Sequence, residues 1–111
     1  MSAAPLDIAQ PDVARVGGLT EIRRIAAHGV RLAPHAWGSG VLFAASIHVA
    51  MAAANCHILE VTQGYMPMMW DLFNEKFDVR PDGTVHALGS SGTRLHITQG
   101  CVGAIPVCRW A

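Results

Sequence analysis

Three polar residues each close a short apolar run. Asp12 follows Leu6-Asp7-Ile8-Ala9-Gln10-Pro11, His35 follows Leu32-Ala33-Pro34, and Glu60 follows His57-Ile58-Leu59. A histidine beside a carboxylate is a natural proton acceptor, because the carboxylate fixes the ring tautomer and favours the imidazolium. A second acid close by can share a hydrogen bond with an oxygen that gains charge as the proton leaves. Singly the three say little: aspartate beside proline is an ordinary turn residue, histidine after a strand is often a satisfied half-buried side chain, and glutamate at a strand end is usually solvated. Their spacing joins them. His35 lies 23 positions after Asp12 and Glu60 lies 25 after His35, each the length of one strand-loop-helix-loop unit.

The elements that must position them repeat strand, polar tip, helix, which is the pattern of a parallel α/β barrel with its chemistry at the strand ends. Residues 6–12 read as extended, since Pro11 has no amide proton and disfavours helix at Gln10. After Gly17-Gly18, Thr20 is expected to cap a short amphipathic helix with Leu19, Ile22, Ile25 and Ala26 on one face and a stop at His28-Gly29. Residues 30–33 form the second strand, and Ser39 in Gly38-Ser39-Gly40 caps a second helix over residues 41–54. That helix has almost no polar face, so it must be covered on more than one side, by a sheet and by neighbours the chain need not itself contain. Residues 56–61 form the third strand. Pro67 then opens a helix running to about Phe73, and residues 77–80 and 84–87 flank Pro81-Asp82-Gly83 as a hairpin. The expected fold is thus α/β, a partial TIM-type barrel of about three parallel strands with two crossover helices, followed by a short helix and hairpin. It divides into a barrel portion over 1–65, an extension over 66–88 and an aperiodic tail over 89–111, expected to be poorly ordered.

At 111 residues the chain is less than half the length of an ordinary βα-barrel. Eight basic and eight acidic residues cancel, which argues against nucleic acid or an anionic membrane as partner. A charged fraction of 14% against 51% hydrophobic leaves more apolar surface than so small a body hides easily, so exposed apolar patches are expected. Cys56, Cys101 and Cys108 are odd in number and lack C-x-x-C spacing, so neither a disulfide framework nor a zinc clip is signalled, and reduced thiols in a cytoplasm are the plain reading. The N-terminus lacks the basic and apolar regions of a secretion signal, and the uncharged run from Val41 to Ala54 is too short to span a bilayer. Trp37 is placed to wall a pocket or to pack under a loop, His48 reads as a packing residue, and Met66, Met68 and Met69 read as core filling.

The runs Gln10-Pro11-Asp12-Val13-Ala14-Arg15-Val16-Gly17-Gly18-Leu19-Thr20-Glu21, Leu32-Ala33-Pro34-His35-Ala36-Trp37-Gly38-Ser39-Gly40 and Ile58-Leu59-Glu60 resemble the C-terminal part of the enolase superfamily, in its mandelate racemase and muconate lactonizing enzyme branch. The resemblance covers residues 6–87. It implies a (β/α)7β barrel that abstracts the proton α to a carboxylate, with Mg²⁺ stabilising the enediolate. Asp12 would be the aspartate of a His-Asp dyad at the end of the sixth strand, His35 its base at the end of the seventh, and Glu60 the acid on the eighth that hydrogen-bonds the substrate carboxylate. Apart from the resemblance, the place of Trp37 two residues past His35 makes it a candidate substrate contact, with packing under the loop the equal alternative. The family's three carboxylate Mg²⁺ ligands and its lysine-bearing strand precede the sixth strand, so no metal ligand is assigned here. Residues 66–87 resemble the return to the lid domain, whereas from Gly89 the chain departs from the family, like a truncated or decayed gene product.

The implied function is that of a C-terminal fragment of a sugar-acid dehydratase, racemase or cycloisomerase, cytoplasmic, acting on a small carboxylate or sugar acid and using Mg²⁺ when whole. The chain alone is expected to bind no cofactor and to be inactive. The alternative is a non-enzymatic module that self-associates or complements another fragment through an exposed barrel edge. A third reading, a small Cys/His metal-binding protein, lacks supporting spacing.

Overall fold

The structure, a computed structural model, describes residues 6–87 and residue 96. The described elements run β1 (Ile8–Ala9), α1 (Leu19–Ala27), β2 (Arg31–Leu32), α2 (Gly40–Ala52), α3 (Pro67–Trp70), β3 (Asp78–Val79) and β4 (Val85–His86). β1 and β2 pair in parallel, Ile8 against Arg31 and Ala9 against Leu32, and the register carries on to an isolated bridge between Asp12 and His35. β3 and β4 form the expected antiparallel hairpin, turned at Gly83 with φ 84°. The parallel segments with their two crossover helices are one arc of a TIM-type barrel.

Three expectations change in detail. The N-cap of α1 is Gly18, not Thr20, which lies inside the helix; Gly17 and Gly18 take φ of 101° and 91°, which lets the chain turn into the helix two residues earlier, with no side-chain cap. Its end is the expected one, with His28 as C-cap and Gly29 at φ 76°. The third strand shrinks to one bridge, Leu32 to Cys56, for a reason given below. And α3 stops at Trp70 instead of reaching Phe73: Phe73 breaks from the helix to bury its ring where Gly40 opens α2, a place so tight that a Cβ on Gly40 would lie 2.7 Å from that ring. The aperiodic tail lies outside the described residues, apart from His96.

Ser39 caps α2 as expected, its Oγ accepting the Leu42 amide at 3.4 Å. The all-apolar character of α2 is explained by its central place, and this chain itself supplies the covers. One flank meets α1 through Val13, Ile22 and Val49; the other meets α3 and the hairpin through Phe43, Ala44, Ile47, Met69 and Phe77. Phe43 and Phe77 meet edge to face at 4.8 Å. Apolar side chains still reach solvent as composition implies, Leu6, Met51 and Ile58 among them. Met69 is core, whereas Met68 is half exposed.

Two features of this body make measurable statements. Ser46 on α2 is fully buried and its hydroxyl has no partner among the described residues. An unpaired buried hydroxyl costs stability and alanine is the better helix former, so Ser46→Ala is expected to leave urea-unfolding stability unchanged or raise it by up to about 1 kcal/mol. A clear loss would reveal a partner for the hydroxyl.

His96 is tied back to the segment before the hairpin. Its carbonyl accepts the Asn74 amide at 2.9 Å, its amide donates to Glu75 Oε2 at 2.8 Å, and its ring Nδ1 bonds Glu75 Oε1. These bonds, the ring contact first, hold the Glu75 carboxyl down at about 2 from its ordinary 4.5. Since the folded value is the lower one, the stabilisation is complete above about pH 4.5 and is lost as pH falls toward about 2. A carboxyl-carbon NMR titration should place the Glu75 midpoint near 2, against an ordinary glutamate value if the tie is absent.

Candidate active site

The site starts from two prolines. The β1–β2 register sets Pro11 opposite Pro34, and each immediately precedes a polar tip, Asp12 or His35. Proline cannot donate to a ladder, so only carbonyls work here: the Ala33 amide donates to Ala9 O at 2.9 Å and the His35 amide to Pro11 O at 3.1 Å. That last bond places His35 opposite Asp12, on the face away from the helices.

Asp12 is 6% exposed, and its carboxylate is satisfied on both oxygens. Oδ1 accepts the Ala14 amide at 2.8 Å, an Asx-type turn, while Oδ2 meets His35 Nδ1 at 3.2 Å and Arg15 Nε at 3.6 Å. With Asp12 ionised, the tautomer consistent with this geometry carries the proton on Nδ1 and leaves Nε2 as a free acceptor. The His35 side chain is 35% exposed, so that acceptor is reachable. A carboxylate bonded to a part-exposed imidazole is an arrangement able to serve as a general base.

The segment that carries Glu60 meets β2 with a slip in register. The Leu32 amide donates to Asn55 O at 2.9 Å and the His57 amide to Leu32 O at 2.7 Å, pairing Leu32 with Cys56. A regular parallel ladder would next send the Leu59 amide to Pro34 O; instead the Glu60 amide occupies it at 3.3 Å, so the third segment carries one surplus residue between His57 and Glu60. The physical cause is Pro34. Its missing N–H is the donor that would hold the His57 carbonyl, and without it the segment buckles. This is why the expected third strand is not continuous. Ile58 is thrown out to 61% exposure, while Leu59 and Val61 pack against the α2 cluster. The Glu60 carboxylate makes no hydrogen bond or ion pair with the described residues. So the structure joins Asp12 and His35 directly, and it brings the Glu60 backbone alongside the strand that ends in His35, with the Glu60 amide on Pro34 O. Trp37 lies two residues beyond His35 and is 63% exposed, without a described contact to the pair.

The residues that sequence reasoning missed are structural supports. Asn55 Nδ2 donates to Ala26 O at 3.0 Å and Val30 O at 2.6 Å, tying the end of α1 and the approach to β2 to the start of the third segment. Its only signal was an amide side chain just after a helix. Arg15, beside the dyad oxygen, was visible as a base three residues after Asp12. Burial pushes the Cys56 thiol up from its ordinary value, which favours its protonated form. No group of three His, Cys, Asp or Glu among the described residues is placed to hold a metal ion, and Asp12 is already committed to His35 and Ala14. The Mg²⁺ that the resemblance implies therefore does not fit the residues described. No helix among them is long and apolar enough to cross a membrane.

Parallel strands bring a buried aspartate and a histidine into contact at their ends, the place where barrel folds carry their chemistry. The model of the enolase C-terminal domain-like family matches residues 1–98, and the chain belongs to that family. It is 46% identical over 56 residues to a D-galactarolactone cycloisomerase of Agrobacterium fabrum, which covers 47% of this chain and 15% of that protein. It is 36% identical over 92 residues to an L-talarate/galactarate dehydratase of Salmonella typhimurium, covering 75% of this chain and 21% of that one. A solved enolase-superfamily structure from Polaromonas sp. JS666 superposes with a TM-score of 0.78 at 26% identity, over 92% of this chain and 28% of the other. Other solved neighbours are named as mandelate racemase/muconate lactonizing enzymes, the branch the sequence motifs indicate. The chain spans about a fifth or less of the length of these two curated relatives.

The surplus residue has a consequence for mutagenesis. Deleting Ile58 should regularise the ladder without moving Glu60, at a cost below about 1 kcal/mol in urea unfolding and with the Glu60 amide still protected from exchange. Deleting Ala33, where no residue is spare, should turn His35 to the opposite face and cost several kcal/mol, on the order of 3 or more. Equal damage from both deletions would refute the slip.

Proposed function

We propose that this chain carries the base-bearing end of an enolase-superfamily enzyme acting on a sugar acid, as dehydratase, racemase or cycloisomerase. His35 Nε2 removes the proton α to the substrate carboxylate. Asp12 holds the ring through Nδ1 and stabilises the imidazolium that forms. Glu60 shares a hydrogen bond with the carboxylate oxygen that gains charge. The observation that carries this reading is the contact of buried Asp12 Oδ2 with His35 Nδ1 at 3.2 Å, on a histidine whose side chain is 35% exposed. The names of the relatives supply the substrate class. The charge that develops on the substrate needs a counter-charge that the described residues do not assemble, so by itself the chain is inactive.

The test grafts residues 1–98 in place of the corresponding segment of the Salmonella typhimurium L-talarate/galactarate dehydratase. The chimera, with Mg²⁺ in the buffer, should exchange the α-proton of galactarate for deuterium, and His35→Ala should cut exchange by about 10³-fold or more, the scale of losing a catalytic base and its partner. The 111-residue chain alone should show no exchange. A folded but inert chimera, or one indifferent to His35→Ala, would sink the reading.

A further inference from the structure

Asp12 Oδ2 serves two groups at once. His35 Nδ1 stands 3.2 Å away and Arg15 Nε 3.6 Å away. We propose that Arg15 is a positioning residue for the dyad, sharing that oxygen with the imidazole and so biasing how readily His35 holds a proton. The proposal rests on His35 being the base.

The backbone keeps the guanidinium close. The Arg15 and Val16 amides both donate to the Asp12 carbonyl at 3.0 Å, and the Gly18 amide closes on Val13 O at 3.0 Å, so residues 12–18 form one wound turn. Asp12 is itself immobilised by the Ala14 amide on Oδ1, which leaves Oδ2 the only oxygen for which cations compete. While His35 is neutral, Arg15 balances the buried carboxylate. When His35 takes up a proton, the same oxygen must serve the imidazolium, and the fixed charge of Arg15 opposes that state. Arg15 and the ring of His35 thus compete for one carboxylate oxygen. Among the described residues the charged groups placed against His35 are Asp12 and Arg15, from the turn after β1, with Glu60 carried on the neighbouring third segment. The Arg15 side chain is 83% exposed, so water and salt screen its charge and the effect is modest, about twofold to threefold.

The test uses the chain as it is and needs no turnover. Diethyl pyrocarbonate acylates neutral imidazole, and peptide mass spectrometry reads each histidine separately, with exposed His57 and His86 as references in the same molecule. At about pH 6.5, where imidazole is partly protonated, the His35 rate relative to His57 should fall about twofold to threefold in Arg15→Gln and further in Arg15→Glu, and should hold in Arg15→Lys. At about pH 8.5, above the ordinary imidazole range, the difference among the four proteins should vanish. A ratio independent of the charge at position 15 overturns the proposal, as does a parallel change at His57 and His86, which would mark a global loss of structure. The Lys and Glu variants decide the matter if Arg15→Gln fails to fold. An inert chimera in the deuterium assay would leave this result standing, so the two failures are distinguishable.

Discussion

The constraint on which the site depends is a register, fixed by the bond from the His35 amide to the Pro11 carbonyl. Side chains in a strand alternate faces with period two, so a slip of one position would send His35 toward the helices and leave Asp12 buried without its partner. Buried charge without a partner is among the costliest defects a small domain can carry. The pairing of Asp12 with His35 is therefore both what the register produces and what makes other registers unfavourable. Fold and chemistry are joined at that point.

The paired prolines give this register an unusual character. Each removes a ladder hydrogen bond, yet each fixes the backbone immediately before a polar tip. Between β1 and β2 the loss is tolerated, because the carbonyl of Pro11 still accepts. Between β2 and the third segment the loss lets the chain buckle, and Glu60 arrives by way of that buckle. A clean ladder and a displaced one thus follow from the same residue type.

The dyad was legible because its parts are local. Asp12 and His35 end apolar runs one βα unit apart, and the polar tip of a strand needs no long-range knowledge to be noticed. The hairpin at Pro81-Asp82-Gly83 and the Ser39 cap were legible for the same reason, since turn and cap chemistry is written in adjacent residues. What was hidden is pairwise. Nothing in Cys56-His57-Ile58-Leu59-Glu60 announces a missing donor on another strand, and an alternation of apolar residues reads as strand whether or not a neighbour can bond it. The covering of α2 was hidden too: a helix with no polar face says that it is covered, not by what, and here α1 and α3 with the hairpin cover its flanks while Val41 and Met51 stay exposed. Thr20 was mistaken for a cap because glycine at positive φ can open a helix with no side chain at all.

The extruded Ile58 bears on how this segment can drift over evolutionary time. Between His57 and Glu60 the chain holds slack of one residue, so a codon lost there is absorbed without disturbing the rim. Across Leu32-Ala33-Pro34-His35 there is no such slack, and an indel would be purged. Aligning related chains by counting from His57 would therefore misplace the acid, whereas anchoring the count on the residue whose amide meets the Pro34 carbonyl keeps equivalent positions together.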